Sequence, residues 1–179
     1  MKTIKYLLLV FLLVILVGCK DKTFMEQYPQ LTDKKHIYEV IDATKVLDLI
    51  EQKETALIIF GFKECPWCQA IVPYANEVGK EMGLKTIYYC DIKDMRDNSE
   101  SVDHEKYLRI KEYFIEAIDS EKDRLNAPTT IALKDGKMVG YHLDTVSSHL
   151  MEDNILPPLN TTQEEELRKI LQDLIKKIK

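Results

Sequence analysis

The chain of 179 residues has no internal repeat, no low-complexity block and no surplus of positive charge. Its 25 lysines and arginines are outnumbered by 30 aspartates and glutamates, a balance that argues against nucleic acid as a partner. A hydrophobic run of membrane-spanning length is missing as well. The longest, Leu7 to Val17, stops short of the roughly 20 apolar residues of a comfortable transmembrane helix. Nor are there two closely spaced cysteine pairs, the usual ligand set of a structural zinc site. What remains is long enough for one domain with a real core and argues against two.

Cysteines stand at positions 19, 65, 68 and 90, and the stretch Cys65-Pro66-Trp67-Cys68 carries the most information. By itself its spacing fits a redox dithiol, half of a zinc site, or chance. Residues 56–62 (Ala-Leu-Ile-Ile-Phe-Gly-Phe) form an almost wholly apolar run that reads as a buried parallel strand ending just before the motif. Beyond it Ala70, Ile71, Tyr74, Val78 and Met82 recur at helical spacing, with Gly79 and Gly83 marking the helix end. Cys65 is thereby expected at a helix N-terminus. The partial positive charge and free N–H groups there favour thiolate and bring its pKa below the free value of about 8.5. Cys68, one turn further in, is placed to resolve a mixed disulfide. Metal handling by the two cysteines with His142 or His149 is a rival use of the same residues.

The N-terminus carries a second signal. Lys2 and Lys5 precede the apolar run, Gly18-Cys19 follows it, and the whole has the outline of a secretory signal peptide. Leu16-Val17-Gly18-Cys19 resembles the lipobox of bacterial lipoproteins, in which the cysteine becomes the lipidated N-terminus after cleavage. That resemblance implies a signal peptide at 1–18, lipidation of Cys19, and an extracytoplasmic domain anchored to the cell membrane; an uncleaved signal anchor is the alternative. Removing residues 1–18 takes away two lysines and leaves 23 basic against 30 acidic side chains, a formal charge of −7. Residues 20–35, rich in Lys, Asp, Gln and Thr with Pro29, read as a tether following the lipidated residue. An outward setting permits stable disulfides. Cys65 and Cys68 then pair, and Cys90, in the strand-like run Lys85 to Asp91, is expected as a buried core residue.

The remaining elements follow from periodicity and caps. His36 to Val40 reads as a first strand, and Asp42 can cap a helix with Val46, Leu47 and Ile50 on one face. A strand is expected at 84–91. A helix at 103–122 is expected from Tyr107, Leu108, Lys111, Phe114, Ile115 and Ile118. Thr130 to Leu133 and Met138 to Leu143 flank Asp135-Gly136, a strong hairpin signal. The chain closes on an amphipathic stripe, Leu167, Ile170, Leu171, Leu174, Ile175 and Ile178, with Thr162 and Glu165 as its expected capping box. The pattern βαβαβαββα predicts a mixed sheet with helices on its faces.

Three motifs in order then make the chain resemble the thioredoxin superfamily over residues 36–179. They are Cys65-Pro-Trp-Cys68, Pro73 five residues after the second cysteine, and Ala127-Pro128-Thr129 before the hairpin. The resemblance implies a thioredoxin-like α/β domain, here with an extended helical segment before the cis-proline. Pro73 looks like the family's helix-kinking proline and Pro128 like its cis-proline, a bond for which proline pays little. By the same likeness Cys65 and Cys68 are the catalytic pair, and Trp67, Ala127 and Pro128 border the substrate; no cofactor and no metal is implied. A looser resemblance, carried by Phe62-Lys-Glu-Cys-Pro-Trp-Cys and Tyr88-Tyr-Cys-Asp-Ile-Lys93, is to membrane-tethered thioredoxin-like proteins of Gram-positive bacteria, including bacteriocin-transport accessory proteins.

The departures are specific. Ile59 stands where thioredoxins keep a buried aspartate, so the usual proton acceptor for the resolving thiol is missing. Lys63 and Glu64 are the nearby charges, and both are expected to be solvated. The segment before Pro128 is longer than in thioredoxin, and residues 144–161, with Pro157-Pro158, form a further insertion. The expectation is an extracytoplasmic, membrane-anchored thiol–disulfide oxidoreductase with protein thiol or disulfide substrates and a redox-recycling partner. The alternative is a non-enzymatic thioredoxin-like lipoprotein that binds a peptide or assists an exporter.

Overall fold

The computed structural model describes residues 23–179, so the signal peptide expected at 1–18 and the lipidation expected at Cys19 lie outside the described residues. The apolar run at 56–62 has no polar side chain to turn towards water. It forms the central strand β2 (Ala56–Gly61), every residue of which is buried. On one side β2 pairs in parallel with β3 (Ile87–Asp91), which pairs in parallel with β1 (Tyr38–Ile41). On the other it pairs antiparallel with β6 (Thr129–Lys134), whose antiparallel neighbour is β7 (Lys137–Leu143). The sheet order is β1-β3-β2-β6-β7.

Strand alternation sorts the core into two layers. Leu57 and Ile59 face α3 (Pro66–Glu81) and α6 (Thr161–Lys177), while Ala56, Ile58 and Phe60 face α2 (Ala43–Glu51) and α5 (His104–Tyr113). Burying each such Leu, Ile or Phe is worth about 1.5–3 kcal/mol, so β2 anchors both layers. The mixed α/β sheet flanked by helices is the fold class that the sequence leads one to expect. Asp42 caps α2 as foreseen, its carboxylate accepting from the Lys45 N–H at 2.8 Å. Gly83, with φ of 78°, lies just beyond α3.

Four expectations are corrected. The helix foreseen at 103–122 stops at Tyr113, and a single 3-10 turn (Ile115–Ala117) leads into a small hairpin of β4 (Ile118–Asp119) and β5 (Arg124–Leu125). The cause is local: Asp119 Oδ1 accepts from the N–H groups of Glu121 and Lys122, and Asp123 takes φ of 48°, which reverses the chain. Phe114 still serves the core, its ring 5.8 Å from that of Phe60. A short helix α4 (Lys93–Asp97), not foreseen, precedes α5. The capping box of α6 is Asn160 with Gln163 rather than Thr162 with Glu165, because Asn160 takes the extended conformation that an N-cap needs.

The fourth correction concerns the tether. From residue 23 onwards it is not a free spacer: the helical residues 23–27 (α1) deliver Phe24 into the core, and Tyr28 and Leu31 follow it. These three sit four and three residues apart, a spacing that turns apolar side chains to one side despite a polar average composition. The Phe24 ring lies 4.8 Å from those of Tyr28 and Tyr38 and 5.1 Å from that of Tyr89. Asp33 then fastens the segment to α3 through Lys80 and Asn76.

Candidate active site

The end of β2 and the start of α3 set the dithiol. Cys65 is the N-cap residue of α3, with Pro66 in the first turn, where a missing N–H costs nothing. Its sulfur accepts from the Cys68 N–H at 3.3 Å and, as a thiol, donates to the Ala127 carbonyl at 3.1 Å. The Cys65 pKa is lowered, chiefly by the Cys68 side chain, with the Cys68 and Trp67 backbone N–H groups adding to the effect. Burial and the charge of Asp144 oppose that shift. The lowering agrees with the N-terminal placement read from the sequence. The two thiols therefore differ in character. Cys68 is fully buried, and burial first, then the neighbouring Cys65, push its pKa upwards.

Beneath Cys68 the floor of the site is aromatic. Ile59 is buried on the same face, in the place where a carboxylate was missed. Gly61 ends β2 in register with Asp91 of β3. A Cβ on Gly61 would lie 2.8 Å from Cys68 Sγ and 2.5 Å from the Tyr89 hydroxyl oxygen, so these two atoms are at most 5.3 Å apart. The Tyr89 hydroxyl in turn hydrogen-bonds to that of Tyr28. Sequence reasoning missed this pair. Tyr89 was visible only as a residue of an apolar strand, and Tyr28 lay in the supposed tether.

The wall opposite α3 comes from the turn before β6 and the insertion after β7. The Ala127–Pro128 peptide is cis, as the resemblance implied. The Pro128 carbonyl accepts from the Asp144 N–H at 2.9 Å, which brings Asp144 to the site. Its carboxyl is half-buried, and burial raises its pKa. Residues 144–160 form no long element, yet they are held firmly. Buried His149 uses both ring nitrogens, one with the Thr145 hydroxyl at 2.8 Å and one with the Pro157 carbonyl at 2.7 Å. Its backbone carbonyl accepts from the Trp67 indole N–H at 3.2 Å. The insertion thus grips the residue between the two cysteines, and Trp67 is only partly exposed.

Other residues singled out in the sequence fall elsewhere. Lys63 and Glu64 are exposed and face each other at 4.0 Å, as solvated charges do. Cys90 is fully buried in the layer of α2 and α5, across the sheet from the dithiol, which is the core position expected of it. His142 hydrogen-bonds to the Thr145 carbonyl, so neither it nor His149 joins the cysteines. Among the described residues no three His, Cys, Asp or Glu side chains gather as a metal set, and no helix is long and apolar enough to cross a membrane.

No protein-family model matches the chain, and no curated protein matches it by sequence. Similar solved structures include thioredoxin from Trypanosoma brucei brucei, at 17% identity and a TM-score of 0.43, covering 80% of this chain and 97% of that one. A wild-type thioredoxin h from poplar is 14% identical with a TM-score of 0.38, over 62% of this chain and 86% of that one. Mitochondrial thioredoxin 3 from Saccharomyces cerevisiae, in its oxidised form, is 17% identical with a TM-score of 0.38, over 66% and 87%.

Proposed function

We propose that this protein is a thiol–disulfide oxidoreductase that acts on protein disulfides outside the cytoplasm, held at the membrane by lipid on Cys19. The observation that carries the activity is the asymmetry of the dithiol. One sulfur caps a helix and has its pKa lowered; the other is buried behind it and has its pKa raised. The anchoring rests on Lys2, Lys5, the run Leu7 to Val17 and Gly18-Cys19, and its test is the release of a Cys19→Ser variant from the membrane fraction.

In the reducing direction the Cys65 thiolate attacks one sulfur of a substrate disulfide. The substrate S–S bond breaks, and its second sulfur leaves as a thiolate that takes up a proton. Cys68 then attacks Cys65, the mixed disulfide breaks, and the first substrate sulfur departs with the proton that Cys68 gives up. Two electrons have passed to the substrate, and a Cys65–Cys68 disulfide remains for a dithiol partner to reduce. The oxidising direction runs the same steps backwards. During the attack Cys65 releases the Ala127 carbonyl, which frees an acceptor beside Pro128 for the backbone of an extended substrate.

Insulin-disulfide reduction with a dithiol reductant tests the activity: Cys65→Ser and Cys68→Ser should each abolish turnover. Undiminished turnover in both would refute the proposal. A non-enzymatic module is the second reading, and the 5% exposure of Cys65 favours it. Failure of the wild-type dithiol to exchange with glutathione at all would select that reading.

A further inference from the structure

We infer that the Tyr89 hydroxyl is the hydrogen-bond donor that steadies the Cys68 sulfur as it ionises, with Tyr28 as the positioning residue behind it; the inference rests on the oxidoreductase reading above. The resolving step demands such a donor. Cys68 must become nucleophilic in a place where it is fully buried, and a buried thiolate without donors is disfavoured. Ile59 fills the place beneath the sulfur with hydrocarbon, and the carboxyl that acts on Cys68 is that of Asp144 on the opposite wall, whose charge opposes the thiolate rather than steadying it.

The geometry places a side-chain donor beside Cys68 at Gly61. Tyr89 Oη and Cys68 Sγ are at most 5.3 Å apart, as the 2.5 and 2.8 Å approaches to the same Gly61 Cβ position require, and no side chain stands at Gly61 to part them. The phenol stays protonated, since burial raises the pKa of Tyr89 and of Tyr28 well above the ordinary tyrosine value. It can donate but does not serve as a base. The charged and titratable groups acting on it are Cys68, Tyr28 and Asp91. In the bond between the two tyrosines either oxygen can be the donor. When Tyr28 donates, the Tyr89 proton is free for sulfur, and the two bonds polarise each other in the same sense. Tyr28 itself is fixed by the aromatic cluster of Phe24, Tyr38 and Tyr89. The segment ahead of β1 thus completes the floor of the dithiol site.

The step balances without another reactant. Cys68–SH attacks the Cys65–S–S–R bond, the Cys65–Cys68 disulfide forms, and R–SH leaves with the Cys68 proton. Tyr89 lends its hydrogen bond while that proton is in transit and ends the step unchanged.

The test is single-turnover mixing of the reduced full chain, in detergent, with a chromogenic aromatic disulfide. Attack by Cys65 releases one coloured thiolate in a phase that depends on disulfide concentration; attack by Cys68 releases the second in a phase that does not. Tyr89→Phe should leave the first phase within about twofold and slow the second about tenfold, the scale of a hydrogen bond to a charged group, with its pH midpoint displaced upwards. Tyr28→Phe keeps the ring and removes only the bond to Tyr89, so it should slow the same phase by a smaller factor. A second phase of wild-type rate in Tyr89→Phe overturns the inference, as do two phases slowed alike. Should Tyr89→Phe not fold, an unaltered second phase in Tyr28→Phe overturns the role of the pair. Absence of the first phase in the wild type removes the oxidoreductase reading itself, a result visible before any variant is made.

Discussion

At the scale of single residues, Gly61 explains how a buried dithiol can sit directly on a sheet. Its backbone must pass under Cys68 Sγ and beside the Tyr89 hydroxyl, closer than any Cβ tolerates. Neither neighbour yields easily: Cys68 is locked in the first turn of α3, and Tyr89 stands on the central part of β3 with its hydroxyl tied to Tyr28. Gly61→Ala is therefore an overpacking change, with an expected loss of about 1–3 kcal/mol. Urea unfolding of the reduced protein checks it, and an unmoved midpoint would show that the gap can widen. The same residue marks a limit of sequence reading. A glycine closing an apolar strand is visible in the chain, but the two atoms that demand it come from residues 7 and 28 positions away.

At the scale of elements, the N-terminal segment is where composition misled and packing decides. Leu57 to Phe60 announce a central strand because every position is apolar, and the dithiol helix announces itself by its period and by Gly83. Cys65, Cys68, Ala127 and Pro128 were legible for the same reason, as short local signals whose neighbours fix their setting. Residues 23–31 offered only Phe24, Met25, Tyr28 and Leu31 among polar residues and a proline, and what makes them structural is a pocket formed by Tyr38, Tyr89 and α3, none of it local. The insertion at 144–160 is similar: His149 reads as a loop histidine until Thr145, Pro157 and Trp67 are seen around it. Phe24→Ala separates the two views of the N-terminal segment. As part of a tether it would be silent; as a core ring with 3% exposure it should cost about 3–5 kcal/mol in the same unfolding measurement.

At the scale of the whole molecule, the buried thiols and phenols set how the reduced protein responds to alkali. Burial raises the folded-state pKa of Cys68, Cys90, Tyr28, Tyr38 and Tyr89. Each therefore stays neutral in the native state and ionises in the unfolded one, at about 8.5 for thiols and about 10 for phenols. Their contribution to stability is complete below those values and is lost as the pH rises above them, because unfolding then releases protons. Cys65 runs the other way: its folded pKa is depressed, so its contribution is present above about 8.5 and is lost as the pH falls through the folded value. Between about pH 8.5 and 10 Cys65 is ionised in both states and adds no slope, so the two buried thiols together set it at about 2.7 kcal/mol of lost stability per pH unit. Above about 10 these tyrosines join, with Tyr74, Tyr88 and Tyr107, whose pKa burial also raises, and the fall steepens. Cys90 lies across the sheet from the dithiol, so its removal is a clean probe. In Cys90→Ala the slope between about pH 8.5 and 10 should halve, to about 1.4 kcal/mol per pH unit from Cys68 alone, whatever the substitution costs at neutral pH, and a slope equal to the wild type's would mean that Cys90 ionises as easily folded as unfolded.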